Sequence, residues 1–222
     1  KRQSYMKERY AKKDDEYLIE TLAKNSNIGS FLSTSILQHT LYEKLNAMNH
    51  TFRSWSNIDN EIGLSYSENA NRIFDLSPRQ LYRLFLLVDS LNKPEFIKQI
   101  GNEIDRDLAD PYSEHGGIVL SDNNGGLKLY ALESVNEKAR DENNNGNYKL
   151  PHIDEPRIFE FHLHATCDDD SKYAGPSDIL GGDLFGTLLK SIFSSEEDEV
   201  VITKLNSNNF NVDYYSADFK FG

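Results

Sequence analysis

The stretch Arg157-Ile158-Phe159-Glu160-Phe161-His162-Leu163-His164 decides how this chain is read. It is rich in aromatic and β-branched residues, and polar clusters lie on either side, Asp141 to Asn147 before it and Asp168-Asp169-Asp170 after it. That pattern predicts a strand. Residues two apart on a strand share a face, so His162 and His164 present their imidazoles side by side to one ion. Two histidines and a carboxylate leave one zinc position for water, which is the donor set of an open catalytic site.

Four further short runs around it have strand character: Gly117 to Leu120, Leu127 to Tyr130, Glu199 to Leu205 and Phe210 to Tyr215. The first two flank Asp122-Asn123-Asn124-Gly125-Gly126, residues that tolerate positive φ, and are expected to form a hairpin. Asp183 to Phe193 carries Leu184, Leu188, Leu189 and Ile192 and reads as a short helix between strands. This half is therefore mixed α/β, with a mostly antiparallel or mixed sheet.

The half before Asp110 has a helical period. Leu76-Ser77-Pro78 followed by Leu81, Leu84, Phe85, Val88 and Leu91 is the strongest signal, with Ser77 as the cap and Pro78 at the first helical position. Ser30 to Asn49 and Pro94 to Asp107 are expected to be helices, the latter ending before Pro111. In Tyr5 to Lys24 the crowded like charges of the first dozen residues place the helix start near Asp14. The charge balance also changes at Asp110, from 15 Lys+Arg against 16 Asp+Glu before it to 9 against 20 after it. The expected fold class is α+β, with a helical region over 1–110 and a mixed α/β domain over 111–222.

Composition removes several functions. A net charge of -12 opposes phosphate backbones, so nucleic acid and anionic membrane surfaces are not expected partners. No apolar run approaches the roughly 20 residues that span a bilayer, and mean hydropathy is -0.63. One cysteine, Cys167, rules out an intrachain disulfide framework and a multi-cysteine zinc knuckle. The chain starts at Lys1, so an upstream signal can have been removed, and a soluble protein of either the cytoplasm or an exported compartment fits. His39 and His50 have no second metal-type residue at a useful spacing and read as packing residues.

The remaining candidates gather around the two histidines. Glu114 opens the first strand, where a carboxylate can act as general base toward a metal-activated water. Ser177 follows Pro176 in a turn, where its hydroxyl can donate to a developing oxyanion. Asp183-Leu184 leads into an apolar-periodic segment, whereas Asp178, the competing acid, is followed by a glycine pair that makes a poor helix start.

Together, Glu114-x-x-Gly117, His162-Leu163-His164, Pro176-Ser177 and Asp183-Leu184 resemble the JAMM motif of the JAB/MPN metalloprotease family. The resemblance covers Tyr112 to Lys220. It implies a curved sheet flanked by helices and a Zn2+-dependent hydrolase that cleaves a peptide, isopeptide or related amide bond in a peptide or protein substrate. It further implies His162, His164 and Asp183 as metal ligands, Glu114 as base and Ser177 as oxyanion donor. The spacing departs from the family pattern. Twelve residues rather than seven separate His164 from Ser177, and five rather than two separate Ser177 from Asp183. That departure favours the alternative of an inactive JAB-like binding or scaffold module; a secreted effector domain on the same fold is a third reading.

Overall fold

The computed structural model describes residues 2–28, 34–52, 72–110, 115–132, 156–164, 199–216 and 220–221. Four helices come first: α1 (Arg2–Lys24), α2 (Thr34–Phe52), α3 (Pro78–Leu91) and α4 (Pro94–Ala109), with a 3-10 turn at Arg72–Asp75. Six strands follow: β1 (His115–Ser121), β2 (Leu127–Leu132), β3 (Phe159–Leu163), β4 (Glu199–Asn206), β5 (Asn209–Tyr215) and β6 (Lys220–Phe221). The α+β class is as expected. The helix that the sequence predicts over Asp183 to Phe193 and the polar loop over Asp141 to Asn147 lie outside the described residues.

α1 corrects one expectation, since it runs from Arg2 rather than from about Asp14. The Lys, Arg, Glu, Met and Ala residues of its first half are intrinsically good helix formers, and here that propensity outweighs the crowding of like charge. α3 begins as its sequence predicts. The Ser77 hydroxyl accepts from the Gln80 N–H, the Gln80 side chain accepts from the Ser77 N–H, and Pro78 needs no donor. Ten of its fourteen residues are buried, from Gln80 and Leu81 through Ser90, so it is a central rather than a surface helix.

The sheet has the order β2-β1-β3-β4-β5-β6. All neighbours are antiparallel except β3 and β4, which pair in parallel with Phe161 opposite Val200 and His162 opposite Val201. The sheet is therefore mixed, and the chain leaving β3 has to cross back over residues 165–198 before β4 can begin. The β1–β2 hairpin closes through Asp122, whose side chain accepts from the N–H groups of Asn124 and Gly126. Gly125 takes φ +73, and a Cβ there would strike the backbone at Lys24 and Asn25, so the turn needs glycine for two reasons.

One face of the sheet makes the core. Phe159, Phe161, Leu163, Val200, Ile202, Val212 and Tyr214 join Leu81, Leu84 and Phe85 of α3 and Phe96, Ile100 and Ile104 of α4 in a single buried cluster. Each such Leu or Phe contributes roughly 1.5–3 kcal/mol on burial. The cluster runs across Asp110, so the helices cover the sheet as well as each other. The outer edge of β2 is covered too, because Leu127 N–H donates to Ser90 Oγ and Leu129 N–H to Gln99 Oε1. Side chains of α3 and α4 thus occupy edge donors that would otherwise be open to another strand.

Candidate functional site

Residues that alternate with the core set face the other way. In β3 these are Glu160 and His162, continued by His164; in β4, Glu199 and Val201; in β5, Asn211, Asp213 and Tyr215. All of them are buried. A buried sheet face built this heavily from acids, imidazoles, an amide and a phenol is costly unless its groups satisfy one another.

The geometry supplies that satisfaction for the acids, the amide and the phenol. Arg157 Nη1 stands 2.8 Å from Glu160 Oε1, and Tyr215 Oη donates to Glu199 Oε2 over 2.9 Å. Asn211 Nδ2 donates to Asp213 Oδ2, and Asp213 is 1% exposed. The start of β3 is tied to α1 by the Arg157 N–H, which donates to Asp14 Oδ1 at 3.0 Å. Burial pushes the Asp14 carboxyl above the usual carboxylate range, against the lowering effects of that hydrogen bond and of the Arg157, Arg83 and Arg79 charges.

The two histidines meet as the strand spacing predicts. His162 and His164 are 8% and 4% exposed, and their ring centroids lie 5.3 Å apart. With Zn–N bonds of about 2.0–2.1 Å in a tetrahedral site, two ligating imidazoles hold their centroids on the order of 5 Å apart, a separation this pair matches. Their position at the carboxyl end of β3 is also where a crossover connection starts. Among the described residues, no group of three or more His, Cys, Asp or Glu side chains could hold a metal ion.

Glu114, Ser177, Asp183, the competing Asp178 and Cys167 lie outside the described residues. Next to Glu114, His115 is buried on β1 with Leu163 as its Cα partner, and its Nε2 lies 3.8 Å from Asp110 Oδ2. Gly116 pairs with His162 itself, and a Cβ on Gly116 would sit 2.5 Å from the Phe161 carbonyl oxygen and 3.1 Å from His162 Cα and Cβ. The two strands therefore touch at the histidine, and glycine on β1 is what allows it.

Two residues of this face to which the sequence gives no role in the site are Glu199 and Tyr215. The Tyr215 ring is fully buried and stands nearly perpendicular to His162, at 84° with centroids 6.4 Å apart. The available signal was the period of two in Asn211-Val212-Asp213-Tyr214-Tyr215, which separates the polar set from the core pair Val212 and Tyr214. His39 is exposed on α2, with its ring edge-on to Phe74 at 5.4 Å.

A separate groove of about 470 Å3 lies against the β1–β2 turn and the start of α4, lined by residues such as Asn27, Lys93, Gln99, Asp122 and Lys128. Behind it, Asp89 accepts from Asn25 and Asn27 and pairs with Lys93 at 3.0 Å. Burial opposes ionisation of Asp89, yet the hydrogen bonds from Lys93, Asn27 and Asn25 and the Lys93 charge hold its carboxyl below the usual range. The groove carries neither histidine of the pair. Among the described residues no helix is long and apolar enough to cross a membrane. No protein-family model, curated protein or solved structure matches the chain.

Proposed function

We propose that the chain is a zinc-dependent hydrolase of JAMM type, cleaving a peptide, isopeptide or related amide bond. The observation that carries the reading is the buried His162/His164 pair, with its 5.3 Å ring separation, at the carboxyl end of a strand that pairs in parallel with β4. Two sequence connections support it. Glu114 is bonded to His115, whose Cα partner Leu163 lies between the two histidines. Ser177 and Asp183 fall within the stretch that links β3 to β4 and so leaves directly from His164.

In this reading His162, His164 and the Asp183 carboxylate would hold the ion. Zinc, when bound, supplies Lewis acidity that polarises the scissile carbonyl and makes water acidic enough to lose a proton near neutral pH. Glu114 takes the proton of the attacking water and delivers it to the leaving amine, so that the C–N bond breaks with no net change of charge on the enzyme. The Ser177 hydroxyl donates to the carbonyl oxygen as negative charge develops there. Burial of the pair excludes water, and that strengthens electrostatic interactions made by the two imidazoles.

The test is elemental analysis of protein purified without a histidine tag, followed by zinc titration of the chelated form. One zinc per chain, lost in His164→Ala and retained in Glu114→Gln together with loss of amide or isopeptide cleavage, is the expected result. Full zinc affinity in a His162→Ala, His164→Ala double variant would remove the assignment. The altered spacing around Ser177 favours a second reading, a binding module on the same scaffold, and this predicts no stoichiometric zinc in the wild-type chain.

A further inference from the structure

We infer that Tyr215, anchored by Glu199, is a positioning residue that fixes the ring of His162 in the orientation needed for metal binding; this rests on the zinc reading above. β5 is separated from β3 by β4, and the register sets Glu160, Glu199 and Tyr215 in one row and His162, Val201 and Asp213 in the next. Tyr215 thus reaches across β4 to bring its ring to His162, at 84° and 6.4 Å. Its hydroxyl donates to Glu199 Oε2 at 2.9 Å, and neither residue is open to solvent, with Tyr215 0% and Glu199 9% exposed.

The arrangement is a two-point hold. A phenol ring alone can swing about its χ angles, but a hydroxyl bonded to a buried carboxylate on the neighbouring strand removes that freedom. The near-perpendicular contact is a favoured aromatic geometry, so the fixed Tyr215 ring transmits its position to the imidazole. On the other side of His162 the backbone of β1 comes close at Gly116, where even a Cβ would lie 3.1 Å from His162 Cα and Cβ. His162 is held between a close backbone and an anchored ring. Hydrogen-bonded partners that orient a metal-ligating histidine typically influence affinity about 10–100-fold, and a ring contact such as that of Tyr215 is expected at the lower end of that range.

The experiment combines aromatic NMR of the metal-free protein, labelled in histidine and tyrosine, with zinc affinity from competition against a chromophoric chelator. Wild-type protein is expected to show cross-peaks between the Tyr215 and His162 rings. Tyr215→Phe keeps the ring and the packing volume but loses the anchor, so the His162 ring signals should shift and zinc affinity should fall about tenfold. Glu199→Gln, which retains an acceptor for the phenol, should fall less than Glu199→Ala. Cobalt spectra of the loaded variants report changed ligand geometry, which a purely structural role for the phenol would leave alone. Absence of the cross-peaks, or zinc affinity in Tyr215→Phe equal to wild type, overturns the positioning role while leaving the metal site standing. Wild-type protein that keeps the cross-peaks but takes up no zinc overturns the metal reading, and with it any role of Tyr215 toward a ligand.

Discussion

Replacing Gly116 by alanine tests the fold and the site at one atom. The added Cβ would lie 2.5 Å from the Phe161 carbonyl oxygen, about 0.9 Å short of an ordinary contact of 3.4 Å, and 3.1 Å from both His162 Cα and Cβ. Two of the three obstacles are backbone atoms, so a rotamer change cannot relieve the overlap, and β1 has to move away from β3. The pair is short, five register positions from His115 to Val119, and displacement at its second position disturbs the hydrogen bonds on either side. One or two weakened ladder bonds at about 1 kcal/mol each, with about 1–3 kcal/mol for overpacking, give a loss of roughly 2–5 kcal/mol. A domain of this kind has a total of about 5–15 kcal/mol, so the loss is readily visible as a lower midpoint in urea denaturation. Gly101→Ala is the control. Its Cβ would meet Ser207 O at 3.4 Å, an acceptable contact, inside a helix where alanine is favoured over glycine by about 1 kcal/mol. The reasoning requires the two glycines to behave oppositely, with Gly101→Ala at or above the wild-type midpoint. A wild-type midpoint for Gly116→Ala would refute the close approach of β1 to His162.

Three further outcomes follow from the same structure. Ser77→Ala removes one half of the capping box of α3 and should cost about 1 kcal/mol, measured as a shift in denaturation midpoint; a change within error would show that the cap is redundant with the burial of the helix. Asp89→Asn should lose about 1.5–3 kcal/mol at pH 7, because the bonds from Lys93, Asn27 and Asn25 favour a charged acceptor. The folded carboxyl is held below its unfolded value of about 3.9, so this stabilisation is fully present above that pH and is lost as the pH falls through the folded value. Denaturation curves of wild type and Asp89→Asn should therefore converge below about pH 4, and a constant gap down to pH 2.5 would contradict the linkage. Gln99→Ala uncovers the Leu129 N–H on the edge of β2, and its hydrogen exchange should accelerate relative to that of Leu127, which Ser90 still covers; equal exchange in wild type and variant would show that the edge is protected some other way.

Much of the local structure was legible because it is decided by near neighbours. Ser77-Pro78 and Gln80 define the start of α3, and the Asp122 to Gly126 turn closes the β1–β2 hairpin through bonds spanning no more than four residues. The side-by-side histidines follow from the period of a strand alone. The start of α1 was misjudged where two local effects, propensity and like-charge crowding, oppose each other over the same residues. The candidate site was only half legible, because Glu199 and Tyr215 carry no motif and acquire a role only through their neighbours across the sheet.

By itself, then, the sequence determined which of the described segments are the four helices and the five longer strands, where the main turn lies, and that His162 and His164 share a face. Strand order was beyond it. That β3 lies between β1 and β4, antiparallel to one and parallel to the other, depends on contacts between residues some 40 positions apart, whose energies no local pattern encodes. The same long-range pairing decided which face each strand gives to the helices. Phe159, Phe161 and Leu163 could bury themselves only against α3 and α4, and that choice turned Glu160, His162 and His164 to the opposite side, where the register brought Glu199 and Tyr215 beside them.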